Sequence, residues 1–152
     1  MAHEFKTTRL VEFAETDMAG ILHFSNFFRY MEATEHAFFR SLGLSVHSGG
    51  RDGAWGAARV QAECSYSAPL RYEDLVELHL QVLEKGRKSI RYQVVFRKVR
   101  DDVVGDEVAR GAMTVVVLGQ PGDDGTLTAI PIPTAVDTAI QVATPPRKGE
   151  VG

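Results

Sequence analysis

The 152-residue chain contains a single cysteine, Cys64, so no disulfide can form within it. A lone cysteine reads as a small buried hydrophobe and leaves the redox compartment open. No stretch approaches the roughly 18 consecutive apolar residues of a membrane span. The opening MAHEFKTTRL is polar and lacks the apolar run of a secretory signal. Neither HExxH nor CxxC spacing occurs and the five histidines are scattered, which argues against a metal centre. An excess of basic charge is also missing. Seventeen Lys and Arg stand against twenty Asp and Glu, for a net charge of −3, which disfavours a nucleic-acid binder. No internal repeat or low-complexity run is visible. Apolar residues at 44% and charged residues at 24% suit one globular domain. A soluble cytoplasmic protein is the resulting expectation.

The hydrophobic patterning changes period along the chain. Phe5, Thr7, Val11 and Phe13 alternate with Lys6, Thr8 and Glu12, which predicts a strand. After a loop-like run ending at Gly20, Phe27, Met31, Thr34, Phe38 and Leu42 recur at steps of three and four. They predict an amphipathic helix of about five turns, capped by Ser25 or Asn26 and closed by Gly43 at C′. Its aromatic-rich face requires a large cover. Four strand patterns follow, on Val60/Ala62/Cys64/Tyr66, Val76/Leu78/Leu80/Val82, Ile90/Tyr92/Val94/Phe96 and Val108/Ala112/Thr114/Val116/Leu118. Turn-forming runs at 85–87 and 101–106 join them as hairpins. Gly49–Gly56 reads as a loop or turn-rich entry to the second strand, 133–142 as a short helix, and 144–152 as a disordered tail. One helix packed on an antiparallel sheet is an α+β fold.

The segment between the first strand and the helix carries the most chemistry. Asp17 lies just upstream of Gly20 and of the helix start near Phe24. A helix start offers unpaired N–H groups and partial positive charge that can polarise a carbonyl. A carboxylate beside the same carbonyl completes an acyl-transfer arrangement. From spacing alone, Asp17 is equally a simple turn or capping aspartate.

The run Glu15-Thr16-Asp17-Met18-Ala19-Gly20-Ile21-Leu22-His23-Phe24-Ser25-Asn26-Phe27-Phe28 resembles the signature of hotdog-fold acyl-CoA thioesterases, in the 4-hydroxybenzoyl-CoA thioesterase and YbgC-like branch. Weaker matches continue through Ser67-Ala68-Pro69, Asp74, 86–89 and 130–133. The resemblance implies a hotdog fold over 1–143, with a sheet wrapped around one long central helix. It implies hydrolysis of an acyl-CoA to free acid and CoA, with Asp17 as nucleophile or general base and no cofactor. The amide near Phe24 would polarise the thioester carbonyl, and Gly20 would let the backbone pass close to the acyl group. His23 would bond Asp17, line the acyl pocket or simply pack in the loop, and Asn26 falls within the same substrate-binding segment. A homodimer or homotetramer with sites between subunits is implied as well.

Lys85-Gly86-Arg87-Lys88-Ser89-Ile90-Arg91 holds four basic residues in seven, and without them the chain carries −7. By the resemblance, Arg87 and Lys88, with Ser89 beside them, fall where CoA phosphates are held; a solvated hairpin is the plainer reading. Thr126 and Thr128 stand where the branch can have arginines, so the nucleotide grip can differ. Glu35 falls mid-face among Met31, Phe38 and Leu42 and must be paired, protonated or interfacial. Glu32, His36 and Arg40 step by four as an exposed ladder. Phe24, Phe27, Phe28 and Trp55 are candidates for an aromatic acyl pocket, but the acyl group is not legible. Two other readings stay open: an acyl-thioester dehydratase or hydratase, and a non-catalytic acyl-CoA binding module.

Overall fold

The computed structural model describes residues 2–47 and 55–143. The calls on 144–152, and on all but the end of Gly49–Gly56, lie outside the described residues. β1 (Glu4–Leu10) leads through a 3₁₀ turn (Phe13–Glu15) and a loop into α1 (Phe24–Ser41). β2 (Gly56–Tyr66), β3 (Leu75–Lys85), β4 (Ser89–Arg100) and β5 (Val103–Leu118) follow, then a short α2 (Thr134–Ala139). The strands form one antiparallel sheet in the order β1-β3-β4-β5-β2. The long helix lies on one face of it, so the expected α+β hotdog arrangement is present.

The core is the contact between that helix and the inward strand residues. Phe27, Tyr30, Met31, Phe38 and Phe39 of α1 are buried with Val76, Leu78, Leu80 and Val82 of β3 and Ile90, Tyr92, Val94 and Phe96 of β4. The Phe27 and Phe96 rings meet at 5.2 Å. Cys64, half-buried, packs against this cluster. Gly43, at φ +72°, follows the Leu42 C-cap, as expected of a glycine closing a helix.

Several local expectations are corrected. β1 ends at Leu10, because Glu12 and Glu15 take the chain into the 3₁₀ turn, and Phe13 is 75% exposed. The helix starts at Phe24, but its N-cap is His23, two residues before Ser25 and three before Asn26. In β2, Val60 sits at a bulge between Arg59 and Gln61 and is 62% exposed, out of phase with its neighbours. In β5 the inward set is Ala109, Met113, Val115 and Val117, not Thr114, Val116 and Leu118. The Thr-Val-Val-Val-Leu run is apolar at both parities, so alternation could not choose its face. The β4–β5 turn is also tighter than 101–106. Asp101 and Asp102 both take left-handed φ (50° and 61°), the geometry of a two-residue hairpin, and 103–106 continue the strand.

Glu35 is buried in the helix–sheet interface, as its wheel position required. Its Oε1 accepts from Arg59 Nη2 at 3.0 Å, and Arg59 Nη1 lies 3.5 Å from Glu32. Glu32 is thereby tied to β2 instead of standing in a free ladder. Oε2 of Glu35 and the Tyr92 hydroxyl have no partner among the described residues. Burial raises the Glu35 pKa from its ordinary 4.5 to about 7, against the opposing pull of Arg59.

Two stability predictions follow from this packing. Gly111 faces Met31, and an added Cβ would lie 2.7 Å from Met31 Cε and 3.1 Å from the Glu63 carbonyl. Gly111→Ala should cost about 1–3 kcal/mol by overpacking, read by thermal denaturation. Because folding raises the Glu35 pKa, its contribution is fully present below about pH 4.5 and is lost as pH rises towards about 7. Glu35→Gln should therefore lose less stability than wild type between pH 5 and 8. The difference should reach at most about 3 kcal/mol in urea denaturation.

Candidate active site

The loop before α1 is a miniature hairpin. Thr16 and Leu22 bridge antiparallel, the Asp17 amide donates to the Ile21 carbonyl at 2.9 Å, and the Gly20 amide donates to the Asp17 carbonyl at 3.0 Å. The turn needs φ +77° at Gly20, which is why glycine stands there. A Cβ at Gly20 would meet nothing within 4 Å in the protomer, so the requirement visible here is backbone conformation. Asp17 Oδ1 accepts from the amides of Ala19 (2.8 Å) and Ile21 (3.4 Å), an Asx turn that fixes the carboxylate. Its Oδ2 has no hydrogen bond among the described residues.

Asp17 opens onto a cavity of about 570 Å³ lined by Ile21, Leu22, Phe24, Phe27, Tyr66, Ser67, Ala68 and Pro69. Apart from the carboxylate and the Ser67 hydroxyl, the walls are apolar or aromatic. Phe24 occupies the first helical position on the same wall, where an amide has no intrahelical acceptor. The next two amides are already used, Ser25 N–H on His23 Nδ1 (3.3 Å) and Asn26 N–H on the His23 carbonyl (2.8 Å). Asp17, with one unbonded carboxylate oxygen, and the first residue of the helix thus line one apolar cavity. This geometry suits attack on, and polarisation of, a carbonyl held between them.

The remaining sequence candidates are distributed differently. His23 is the helix cap: its Nδ1 also lies 2.7 Å from the Ser25 hydroxyl, and its ring stacks on Phe24 at 4.6 Å. It is not among the residues lining the cavity. Asn26 donates from Nδ2 to the Glu15 carbonyl at 2.7 Å, tying the first helical turn to the 3₁₀ turn. Phe24 and Phe27 line the cavity, whereas Phe28 borders a separate cleft beside Arg59, and Trp55 packs 6.5 Å from Phe39. Arg87, Lys88 and Ser89 lie in the β3–β4 hairpin. The Asp17 loop pairs with Leu70 and Arg71, just before the opposite end of β3. That eleven-residue strand separates the two features by about 30 Å. One protomer does not bring them together.

Tyr66 went unnoticed in the sequence as a site residue. Its hydroxyl donates to the Phe24 carbonyl at 3.1 Å and its ring meets Phe27 edge-on at 4.8 Å, so it braces the helix start from β2. Burial, then the neighbouring Cys64, pushes its pKa up to about 12. Only its place just before Ser67-Ala68-Pro69 could have hinted at this. Among the described residues, no helix is long and apolar enough to cross a membrane, and no group of three or more His, Cys, Asp or Glu is placed to hold a metal.

The family model of the Thioesterase-like superfamily matches residues 11–140. A putative esterase of Aquifex aeolicus (strain VF5) is 40% identical over 91 residues, 59% of this chain and 70% of that protein. A 1,4-dihydroxy-2-naphthoyl-CoA hydrolase of Synechococcus elongatus is 28% identical over 89 residues, 58% of this chain and 65% of its own. The solved structure of a gentisyl-coenzyme A thioesterase is 28% identical, with a TM-score of 0.73 over 88% of this chain and 99% of the other. A match running from the end of β1 through α2, on a sheet and helix of the same architecture, places this chain in the Thioesterase-like superfamily, a family of thioester hydrolases.

Proposed function

We propose that the chain hydrolyses acyl-CoA thioesters to a free acid and CoA, with Asp17 and the Phe24 amide as the reacting pair. The observation that carries this reading is their shared position on the apolar cavity. The acyl group would occupy the cavity, with its carbonyl oxygen towards the Phe24 amide. Asp17 either attacks the carbonyl carbon or takes a proton from an attacking water. In both routes the C–S bond breaks, the oxygen of water ends in the acid, and a proton reaches the departing thiolate. Aromatic walls favour an aroyl or a short to medium aliphatic acyl group. The names of two relatives, a gentisyl-CoA and a dihydroxynaphthoyl-CoA thioesterase, lean towards the aromatic class. His23, spent on the helix cap and off the cavity wall, lends little to a dehydratase reading.

The nucleotide would be held by Arg87 and Lys88 through charge-assisted bonds to phosphate. Because these stand about 30 Å from Asp17 within one protomer, a shared CoA needs a second copy. The open edge of β2 offers the place for it: an unpaired strand edge is a template for pairing. We propose a homodimer, or a homotetramer of two such dimers.

In a thiol-release screen over aroyl- and alkanoyl-CoAs, Asp17→Asn should lower kcat by roughly 10²–10⁴-fold while a non-hydrolysable thioether analogue still binds. Wild-type turnover by that variant would exclude Asp17. Replacing Arg87 and Lys88 by alanine should raise KM for acyl-CoA about tenfold with kcat little changed, since a lost phosphate contact is felt in substrate and transition state alike.

A further inference from the structure

Two residues before Asp17, Glu15 accepts more hydrogen bonds than any capping turn requires. Its Oε1 accepts from the Tyr30 hydroxyl at 2.6 Å and from the Glu12 amide at 2.9 Å. Its Oε2 accepts from Arg9 Nη2 at 2.8 Å. Its backbone carbonyl accepts from the His23 amide at 2.9 Å and from Asn26 Nδ2 at 2.7 Å. The Arg9 guanidinium in turn lies 4.1 Å over the Tyr30 ring. The site is largely withdrawn from water: Tyr30 is fully buried and the Glu15 side chain is 14% exposed. Burial pushes the Glu15 carboxyl up, but the bonds from Tyr30 and the Glu12 amide, with the charge of Arg9, outweigh it and hold its pKa below the ordinary range. Glu15 is therefore an anion with every strong donor around it engaged.

The geometry of these bonds is what matters. Arg9 belongs to β1, Tyr30 and Asn26 to α1, and the His23 amide to the residue that caps the helix. One residue thus ties the end of β1, the loop carrying Asp17 and the helix start carrying the Phe24 amide. The two reacting groups are separated by a loop of six residues, and Glu15 closes that loop from beneath.

We propose that Glu15, through Arg9 and Tyr30, is a positioning residue that fixes the Asp17 carboxylate relative to the Phe24 amide. The proposal rests on the reading of Asp17 and Phe24 as the reacting pair. Glu15 does not line the cavity and touches no substrate. Its effect must pass through Asp17.

The test is a cycle of Glu15→Gln and Asp17→Asn, with Tyr30→Phe as a milder variant that removes one hydroxyl and keeps the buried ring. Glutamine cannot accept from Arg9, Tyr30 and Glu12 together, so Glu15→Gln should lower kcat about 10- to 100-fold with KM within about threefold, the signature of misplaced reacting groups. Tyr30→Phe should lower kcat in the same way by about threefold or more. In the Asp17→Asn background Glu15→Gln should change the residual rate by less than about twofold, because a residue acting through Asp17 has nothing left to position. Amide hydrogen exchange should quicken at least about tenfold at Ala19, Ile21 and His23 in Glu15→Gln, with the β3 and β4 amides unchanged. The proposal is overturned by full kcat in Glu15→Gln, by an equal loss in the Asp17→Asn background, or by unchanged loop exchange. Wild-type turnover by Asp17→Asn alone overturns instead the underlying reading of the site, and that single variant keeps the two failures apart.

Discussion

Everything in this molecule is arranged around the burial of one helix. Five large side chains of α1 (Phe27, Tyr30, Met31, Phe38 and Phe39) are at most 3% exposed. At about 1.5–3 kcal/mol for each buried side chain, their gross contribution is on the order of 10 kcal/mol, as large as the net stability of a typical domain. The chain offers one surface that can accept such a stripe, the inward face of β3, β4 and β5. The strand order places those three at the centre of the sheet, with β1 and β2 as margins. Once the helix is seated there, its N-terminus is fixed against residues 66–70, through the Leu22 amide on the Leu70 carbonyl and the Tyr66 hydroxyl on the Phe24 carbonyl. The cavity is what remains between that helix start, the end of β2 and the Asp17 loop.

The opposite face of the sheet satisfies itself. His79 lies 2.7 Å from Glu4 and 3.3 Å from Arg97, which also reaches Glu77. Arg97 can only donate, so His79 Nδ1 accepts and Nε2 carries the proton given to Glu4. Arg91 likewise bonds Gln61, Glu63 and Thr114. A face so fully paired gains little by burial, since its ions would lose water without gaining partners. The β2 margin differs: among the described residues no strand pairs its outer backbone edge, and the bulge at Val60 leaves a large aliphatic side chain in solvent. If the proposed second copy pairs with this chain, the contrast favours the edge over the outer face.

Much of this was legible in the residues. The long helix and the strands β3 and β4 follow from periods of 3.6 and two over sharply amphipathic segments, and Glu35 was rightly seen as an acid in an apolar stripe. Misreadings fell where local chemistry is ambiguous. The valine run of β5 fits either face, and the Val60 bulge cannot be seen without its partner strand. Phe13 looked like a continuation of β1 because the Glu12–Glu15 turn competes with alternation and wins. At the site, Asp17, Gly20 and the helix start could be placed because a loop–glycine–helix junction is contiguous in sequence. Tyr66 and the Glu15–Arg9–Tyr30 contacts could not, since they join residues 6 to 42 positions apart whose meeting is decided only by the packed helix.

The basic hairpin shows the same limit from the other side. A charge cluster in sequence says that a polyanion can be bound, but the direction of β3 decides which site it can serve. An antiparallel strand of eleven residues carries its two ends about 30 Å apart, and no rotamer of Arg87 or Lys88 closes such a gap. The fold therefore places the cavity and the basic hairpin at opposite ends of one strand. Residues of the 21–27 and 66–69 segments line the cavity, and the 86–89 hairpin stands at the far end of the strand. On the proposed assignment of the two surfaces, the working unit would be a pair, because a second copy can set one chain's hairpin beside the other's carboxylate.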